Sequence, residues 1–315
     1  MTTQKQEQRH GLRFSLRNIA FSHFCEKARW TLDYYGVPYV EYRSLPWMHI
    51  ISMFRHRATI VAGPECSPFS TPFLTCTPGD STADATGDRT IKLNDSTDIL
   101  GFISDQFAAP SDNSTIDASV NLYSDDAATK AKILALEERF DLMIGPHVRR
   151  IAYYEIFVKA PRSVQRELGH HNNAGKLQSW LWSMFVPLWG WLIIKFFNIN
   201  EVSAARSMDI LKREFEHISQ VLESNSTGSG YLVGSQFTAA DLTLASLASI
   251  VLGVTHKEGY GAWLPPMTVM RPEGQAFCKE LRQTTAGKHV LRCYQQHRGE
   301  KPPGSSYGYM FFGLW

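Results

Sequence analysis

The stretch Phe21-Ser22-His23-Phe24-Cys25-Glu26-Lys27-Ala28-Arg29-Trp30 constrains the fold more than any other part of the chain. An alternating run, Leu12 to Leu16, precedes it and reads as a strand. Phe24, Ala28 and Leu32 then recur at helical spacing, and Gly36 marks the stop. Ser22 falls at the helix N-cap, where a hydroxyl can accept from the orphan amides of the first turn. Those amides and the positive end of the helix dipole favour an anion, and a thiolate held there has a lowered pKa. Ser22 and Cys25 are three residues apart and share the first turn. The same residues also read as an ordinary cap followed by a buried cysteine, so the spacing by itself leaves both readings open. Tyr39 to Arg43 reads as a second strand, which makes the opening a β-α-β unit.

The chain has 315 residues, enough for two domains, with 43% hydrophobic and 20% charged residues, as in a water-soluble globular protein. A net charge of +2 gives no reason to expect a nucleic-acid partner. Cys25, Cys66, Cys76, Cys278 and Cys293 are odd in number and lack paired ligand spacing, so no metal site is expected and a reducing, cytoplasmic setting is. Residues 1–11 are polar and read as a disordered lead-in.

Phe73 to Thr77 and Thr90 to Leu93 read as an antiparallel hairpin around a polar insert, Pro78 to Asp88, with Thr71-Pro72 leading into its first strand. Ser96 opens a helix through Phe107, preceded by Asp95. His49 and Arg57 lie in a long irregular stretch before Thr71, where a surface position is the plainer reading of His49.

After a linker at 108–122 the pattern is helical. Ser124 is the expected cap of a helix carrying Ile133, Leu136, Phe140 and Met143, and Gly145-Pro146 starts the next. On that second helix Arg149 and Arg150 read as a solvated basic face. Leu177 to Phe197 holds Trp180, Trp182, Trp189 and Trp191, with no charge between Lys176 and Lys195. Pro187 and Gly190 interrupt it, so a buried or pocket-lining helix pair is expected; contact with a membrane through 177–197, or a true span, is less favoured. Thr238-x-x-Asp241 is a capping box before a helix that is apolar nearly all round.

Four of these stretches, in order, resemble the glutathione S-transferase superfamily: Ser22 to Lys27, Thr71-Pro72-Phe73-Leu74, Leu93 to Ile99, and Tyr231-Leu232-Val233-Gly234 running into Phe237 to Leu242. The resemblance implies a thioredoxin-like α/β domain at 12–107, an all-α helical-bundle domain at 123–298 and a tail at 299–315. It implies glutathione as co-substrate, a small hydrophobic electrophile as second substrate, a role in detoxification and a homodimer. Ser22 then stands at the catalytic position and Cys25 at the second-cysteine position of a redox pair, with His23 where the family pattern has proline. Phe24, His49, Thr71, Pro72, Asp95 and Ser96 become the glutathione-binding residues, with Thr71-Pro72 a cis turn and Asp95-Ser96 holding the γ-glutamyl end. Ser22 is the favoured catalytic group. The alternatives are a thiol transferase that uses Cys25 and a non-catalytic binder of hydrophobic ligands or membranes.

Overall fold

The computed structural model describes residues 11–54, 69–78, 90–107, 121–299 and 306–309. Strand β1, Leu12–Ile19, alternates as its sequence requires, with Phe14 and Leu16 buried and Arg13 exposed. Helix α1, His23–Tyr34, follows; Gly36, at φ 62°, lets Val37 N–H donate back to Leu32 O at 2.9 Å and closes the helix. Strand β2, Tyr39–Ser44, lies parallel to β1, with Leu16 opposite Glu41. Helix α2 spans Met48–Phe54. Strands β3, Phe73–Pro78, and β4, Ile91–Leu93, form the expected antiparallel hairpin, and β3 pairs antiparallel with β1, Leu16 facing Leu74. Helix α3, Ser96–Phe107, closes this unit. Phe14, Leu16, Ala28, Leu32, Leu74 and Ile103 meet in a core between the sheet and α1 and α3. The polar insert at 79–89, the segment 55–68 and the linker residues 108–120 lie outside the described residues.

The second unit is helical: α4 Ala127–Met143, α5 Gly145–Tyr153 continued by a π-helical turn to Lys159, α6 Arg162–Glu167, α7 His171–Phe196, α8 Glu201–Ser224, α9 Ala239–Ala248, α10 Pro272–Gln283 and α11 Thr285–His297. Its centre is α9, in which every residue is buried. The Thr238–Asp241 capping box starts α9, and the Asp241 carboxylate also accepts from Leu232 N–H at 3.0 Å and pairs with His289 Nε2 at 2.9 Å. Ser124 is not the cap of α4. Asp126 is, accepting from Thr129 N–H at 2.8 Å, while Ser124 Oγ accepts from Asp126 N–H. A short carboxylate one residue before the first turn reaches the orphan amides better than a hydroxyl two residues further back. A strand of the tail, β5 at Ser306–Tyr309, runs parallel to β2 on its free edge, so the sheet order is β4-β3-β1-β2-β5.

The Trp-rich segment is buried, as expected, along one stripe only. It lies in α7, whose backbone leaves helical geometry at Gly175 (φ 75°, ψ 166°) and kinks at Phe185 just before Pro187, and none of its residues is on the lining of the cleft beside Ser22. One stripe is buried: Gln178, Trp182, Val186, Gly190 and Ile193, with Trp182 Nε1–H donating to Gln165 O at 2.9 Å. The opposite stripe is open, Trp180 being 57% and Trp191 55% exposed. A helix laid on one domain buries only the side it rests on. By length and apolarity α7 could cross a bilayer, and 28% of its most apolar window is buried.

Helix α1 is enclosed on both sides, by the sheet core and by α9. Glu26, Lys27 and Arg29, which sit between its apolar positions, are 0% exposed. They are paired. Arg29 pairs with Glu26 and donates to Glu41 at 2.8 Å; Arg43 donates to Glu41 at 3.0 Å; Arg298 reaches Glu26 at 3.0 Å and Asp33 at 2.8 Å. Lys27 bonds Asp141 at 3.1 Å, Glu137 at 3.4 Å and Thr97 Oγ1 at 2.7 Å. A Cβ on Gly261 would lie 2.4 Å from Arg29 Nη1 and 2.7 Å from Glu26 Oε2, so the loop at Gly261 can approach the cluster only as glycine.

Two outcomes follow from this packing. Arg29→Leu leaves Glu26 and Glu41 buried without their shared cation, and should cost about 3–5 kcal/mol. Urea denaturation would read this as a lower midpoint with an unchanged slope; an unchanged midpoint would mean the cluster does not hold the two units together. The second concerns His23, which is buried and donates from Nε2 to Gly145 O at 2.9 Å. Burial, reinforced by Arg149 and opposed by the Gly145 carbonyl, lowers its pKa from 6.5 to about 3. Between those values the unfolded chain binds one proton more than the folded one, so stability falls as pH drops from about 6.5, by at most about 1.4 kcal/mol per pH unit from this group. His49, lowered by burial to about 4, acts with the same sign. His23→Gln keeps a donor to Gly145 but cannot titrate. A stability-versus-pH curve as steep in that variant as in the parent would remove His23 from the account.

Candidate active site at the start of the first helix

The turn that delivers Ser22 is fixed from beneath. Ser22 N–H donates to Ile19 O at 2.9 Å, Arg29 donates to Ala20 O at 2.9 Å, and Tyr260 Oη–H donates to Phe21 O at 2.9 Å. Ser22 is the N-cap of α1 in extended backbone, φ −75° and ψ 129°, yet its side chain makes no capping bond. The hydroxyl instead contacts the Cys25 thiol, at a helix start whose dipole favours negative charge.

Cys25 lies one turn deeper and is 0% exposed. Burial raises its pKa, opposed by contacts with the Ser22 hydroxyl, the Ile19 backbone and the Thr71 side chain. A thiol that is inaccessible and more fully protonated than usual is a poor nucleophile. Thr71-Pro72 is cis, and the Thr71 contact brings this turn to the same spot. Ser22, Cys25 and Thr71 thus form one cluster.

The other expected site residues are placed as follows. Ser96 is the first residue of α3 and is buried; Asp95 Oδ1 accepts from Thr97 N–H at 2.7 Å and Asp98 N–H at 3.2 Å and so caps the helix. The bond from Lys27 to Thr97 ties this helix start to the first turns of α1. Phe24 is half-buried, its ring against Gly145 and 4.6 Å from the ring of His23, which is packing between the two units. His49, on α2, is half-buried and contacts the backbone of Leu45 and Phe69, two residues before Thr71. Pro72 is buried. Among the described residues no group of three or more His, Cys, Asp or Glu side chains is placed to hold a metal ion.

A cleft opens beside Ser22 between the two units. Its walls are Phe21, Ala152, Tyr153, Ile156, Leu168 and Leu264, with His23 and Arg149 also on the lining. Its free volume is about 30 Å³, room for no more than a few water molecules, so a larger occupant requires side chains at the wall to move. Leu168, Ile250 and Leu264 come from turns without a motif, and nothing in the sequence marked them. Arg149 is not on a solvated face. It is half-buried, with Cζ 4.5 Å from the centre of the Phe197 ring, and burial lowers its pKa. The turn of α5 that buries Val148 and Ala152 carries Arg149 into the cleft, and Arg150 is turned to Ser207 Oγ at 3.3 Å.

Comparison with known proteins bears on this geometry at two levels. Residues 16–111 match the family model described as "Glutathione S-transferase, N-terminal domain". Among solved structures the chain is similar to FzlA from C. crescentus, at 14% identity and a TM-score of 0.46, over 96% of this chain and 98% of that one. It is similar to poplar glutathione transferase F1 at 16% identity and a TM-score of 0.48, over 90% and 98% of the two chains. It is also similar to Ure2p in complex with glutathione, at 14% identity and a TM-score of 0.46, over 90% and 95%. No curated protein matches the sequence. Likenesses this distant carry no argument, and what the family model establishes is confined to the sheet and helices it covers: residues 16–111 are similar to the N-terminal domain of glutathione S-transferases.

Proposed function

We propose that this protein is a glutathione transferase in which Ser22 activates the thiol of bound glutathione for attack on a small hydrophobic electrophile. The observation that carries the reading is the Ser22 side chain. It stands at the N-cap of α1, makes no capping bond and lies on the lining of the interdomain cleft. Free thiols with a pKa near 8.5 are mostly protonated at neutral pH. A hydroxyl that donates to the sulfur, together with the first-turn amides, favours the thiolate; the proton leaves to solvent, and the sulfur then forms a bond to the electrophilic carbon as its leaving group departs.

The donor set suits the rest of glutathione. The start of α3 offers the Ser96 hydroxyl and the positive end of the helix dipole to the γ-glutamyl carboxylate, and Asp95, which caps the Thr97 and Asp98 amides, supplies a negative charge for its ammonium. Thr71 adjoins Ser22 through their shared contact with Cys25, where an extended peptide would run. The apolar walls of the cleft fit a hydrophobic second substrate, with the Arg149 cation at one side. Burial and the raised pKa of Cys25 weigh against a thiol transferase using that residue.

Ser22→Ala should lower conjugation of a model electrophile by roughly 10- to 1000-fold, as when one preorganised donor to an anion is removed. Cys25→Ser should cost much less. The reverse ranking would move the chemistry to Cys25, and a parent without conjugating activity that still binds glutathione would make it a binder. The γ-glutamyl site is tested separately by calorimetry, in which Ser96→Ala should weaken glutathione binding by about 1–3 kcal/mol. Unchanged affinity in both Ser96→Ala and Asp95→Ala would remove that site.

A further inference from the structure

The open side of α7 is not accounted for by the site above. Lys176, Trp180, Met184, Leu188, Trp191 and Lys195 recur at intervals of four, four, four, three and four residues and form one exposed stripe. The four apolar members are 57%, 48%, 48% and 55% exposed, in chain order. At 1.5 Å per residue the stripe is about 28 Å long. Monomeric proteins rarely expose a continuous apolar strip of this kind without a partner.

We propose that this stripe seats α7 in the plane of an anionic lipid surface. Charge selects the occupant. The stripe carries a lysine at each end, and no acidic residue occurs from Leu168 to Asn200. Arg166, exposed on α6, adds a third cation where it donates to Ser183 O at 3.3 Å, with Glu167 as its acidic neighbour. An antiparallel pairing of two copies along the stripe would bring the Lys176 end of one against the Lys195 end of the other, cation to cation. Anionic headgroups oppose both ends at once. Tryptophan suits the boundary, because its ring is apolar and its N–H finds partners at headgroup level.

Geometry selects the orientation. Gln178, Trp182, Val186 and Ile193, on the opposite stripe, are buried against the protein, and the Phe157 ring lies over Gly190. A spanning helix would have to strip that side from its own domain. A helix lying in the interface uses only the side already exposed.

Flotation with vesicles tests this. The full chain should float with phosphatidylcholine vesicles that contain phosphatidylserine, and far less with pure phosphatidylcholine. Replacing Trp180 and Trp191 together by Ser should abolish flotation. Lys176→Ala with Lys195→Ala should lower partitioning about 25-fold, at about fivefold per interfacial lysine. Val202→Ser, at an apolar residue 79% exposed on α8, should float like the parent, and so should Ser22→Ala, which separates this surface from the chemistry. Alkaline carbonate should release the bound protein. The proposal fails if the parent does not float, if the Trp180 and Trp191 substitutions leave flotation intact, or if carbonate leaves the protein in the membrane. It also fails if those two substitutions instead convert a non-floating dimer into a monomer, since the stripe would then join two copies.

Discussion

The buried ion cluster on α1 is the interaction on which the rest depends. Helix α1 has no solvent side, so the charges in its sequence had to be neutralised within the protein or be absent. The cluster balances them. Arg29, Arg43 and Arg298 face Glu26, Asp33 and Glu41, and the backbone of Gly261 completes it, its N–H donating to Glu26 at 3.1 Å and its carbonyl accepting from Arg43 at 2.9 Å. Such clusters contribute little net stability compared with apolar packing, but losing one member leaves a charge stranded in low dielectric. Their value here is geometric. The members come from α1, β2, the end of α11 and the Gly261 loop, so the two units can meet in only one arrangement that satisfies all of them.

That arrangement sets the position of Ser22. Arg29 holds the Ala20 carbonyl and Tyr260 holds the Phe21 carbonyl, so the turn before the helix is pinned by one residue from each unit. The depth of the helix then separates the two candidate groups. At the N-cap a side chain still reaches the cleft; three residues on, Cys25 is enclosed and its thiol is held protonated by burial. The first turn that the two share places one at the surface of the cleft and the other beneath it.

Much of this was legible because local signals agree with the fold. Gly36 ends α1, the hairpin strands flank a polar insert, and the Thr238–Asp241 box starts α9 as its spacing requires. What was not legible has one cause: burial of a residue depends on what lies across from it. Glu26, Lys27 and Arg29 read as polar positions between apolar ones, and only α9 and the Gly261 loop bury them. Arg149 read as solvated for the same reason. In α7 the error ran in the opposite direction: uniform apolarity suggested uniform burial, whereas the domain covers a single stripe. Periodicity cannot distinguish the two faces of a helix when both are apolar.

The cleft owes its electrostatic character to the same packing. His23, next to the cap, donates to Gly145 as a neutral ring, since burial and the nearby Arg149 make its protonation unfavourable down to about pH 3. Histidine therefore adds no charge beside Ser22 at neutral pH. The positive potential there arises from the helix end, through its orphan amides, and from Arg149, whose guanidinium is always charged and is held against Phe197. Neither source titrates near neutrality. A thiolate placed at Ser22 would thus meet a field that does not vary across the physiological range, and any pH dependence of its formation would belong to the thiol itself.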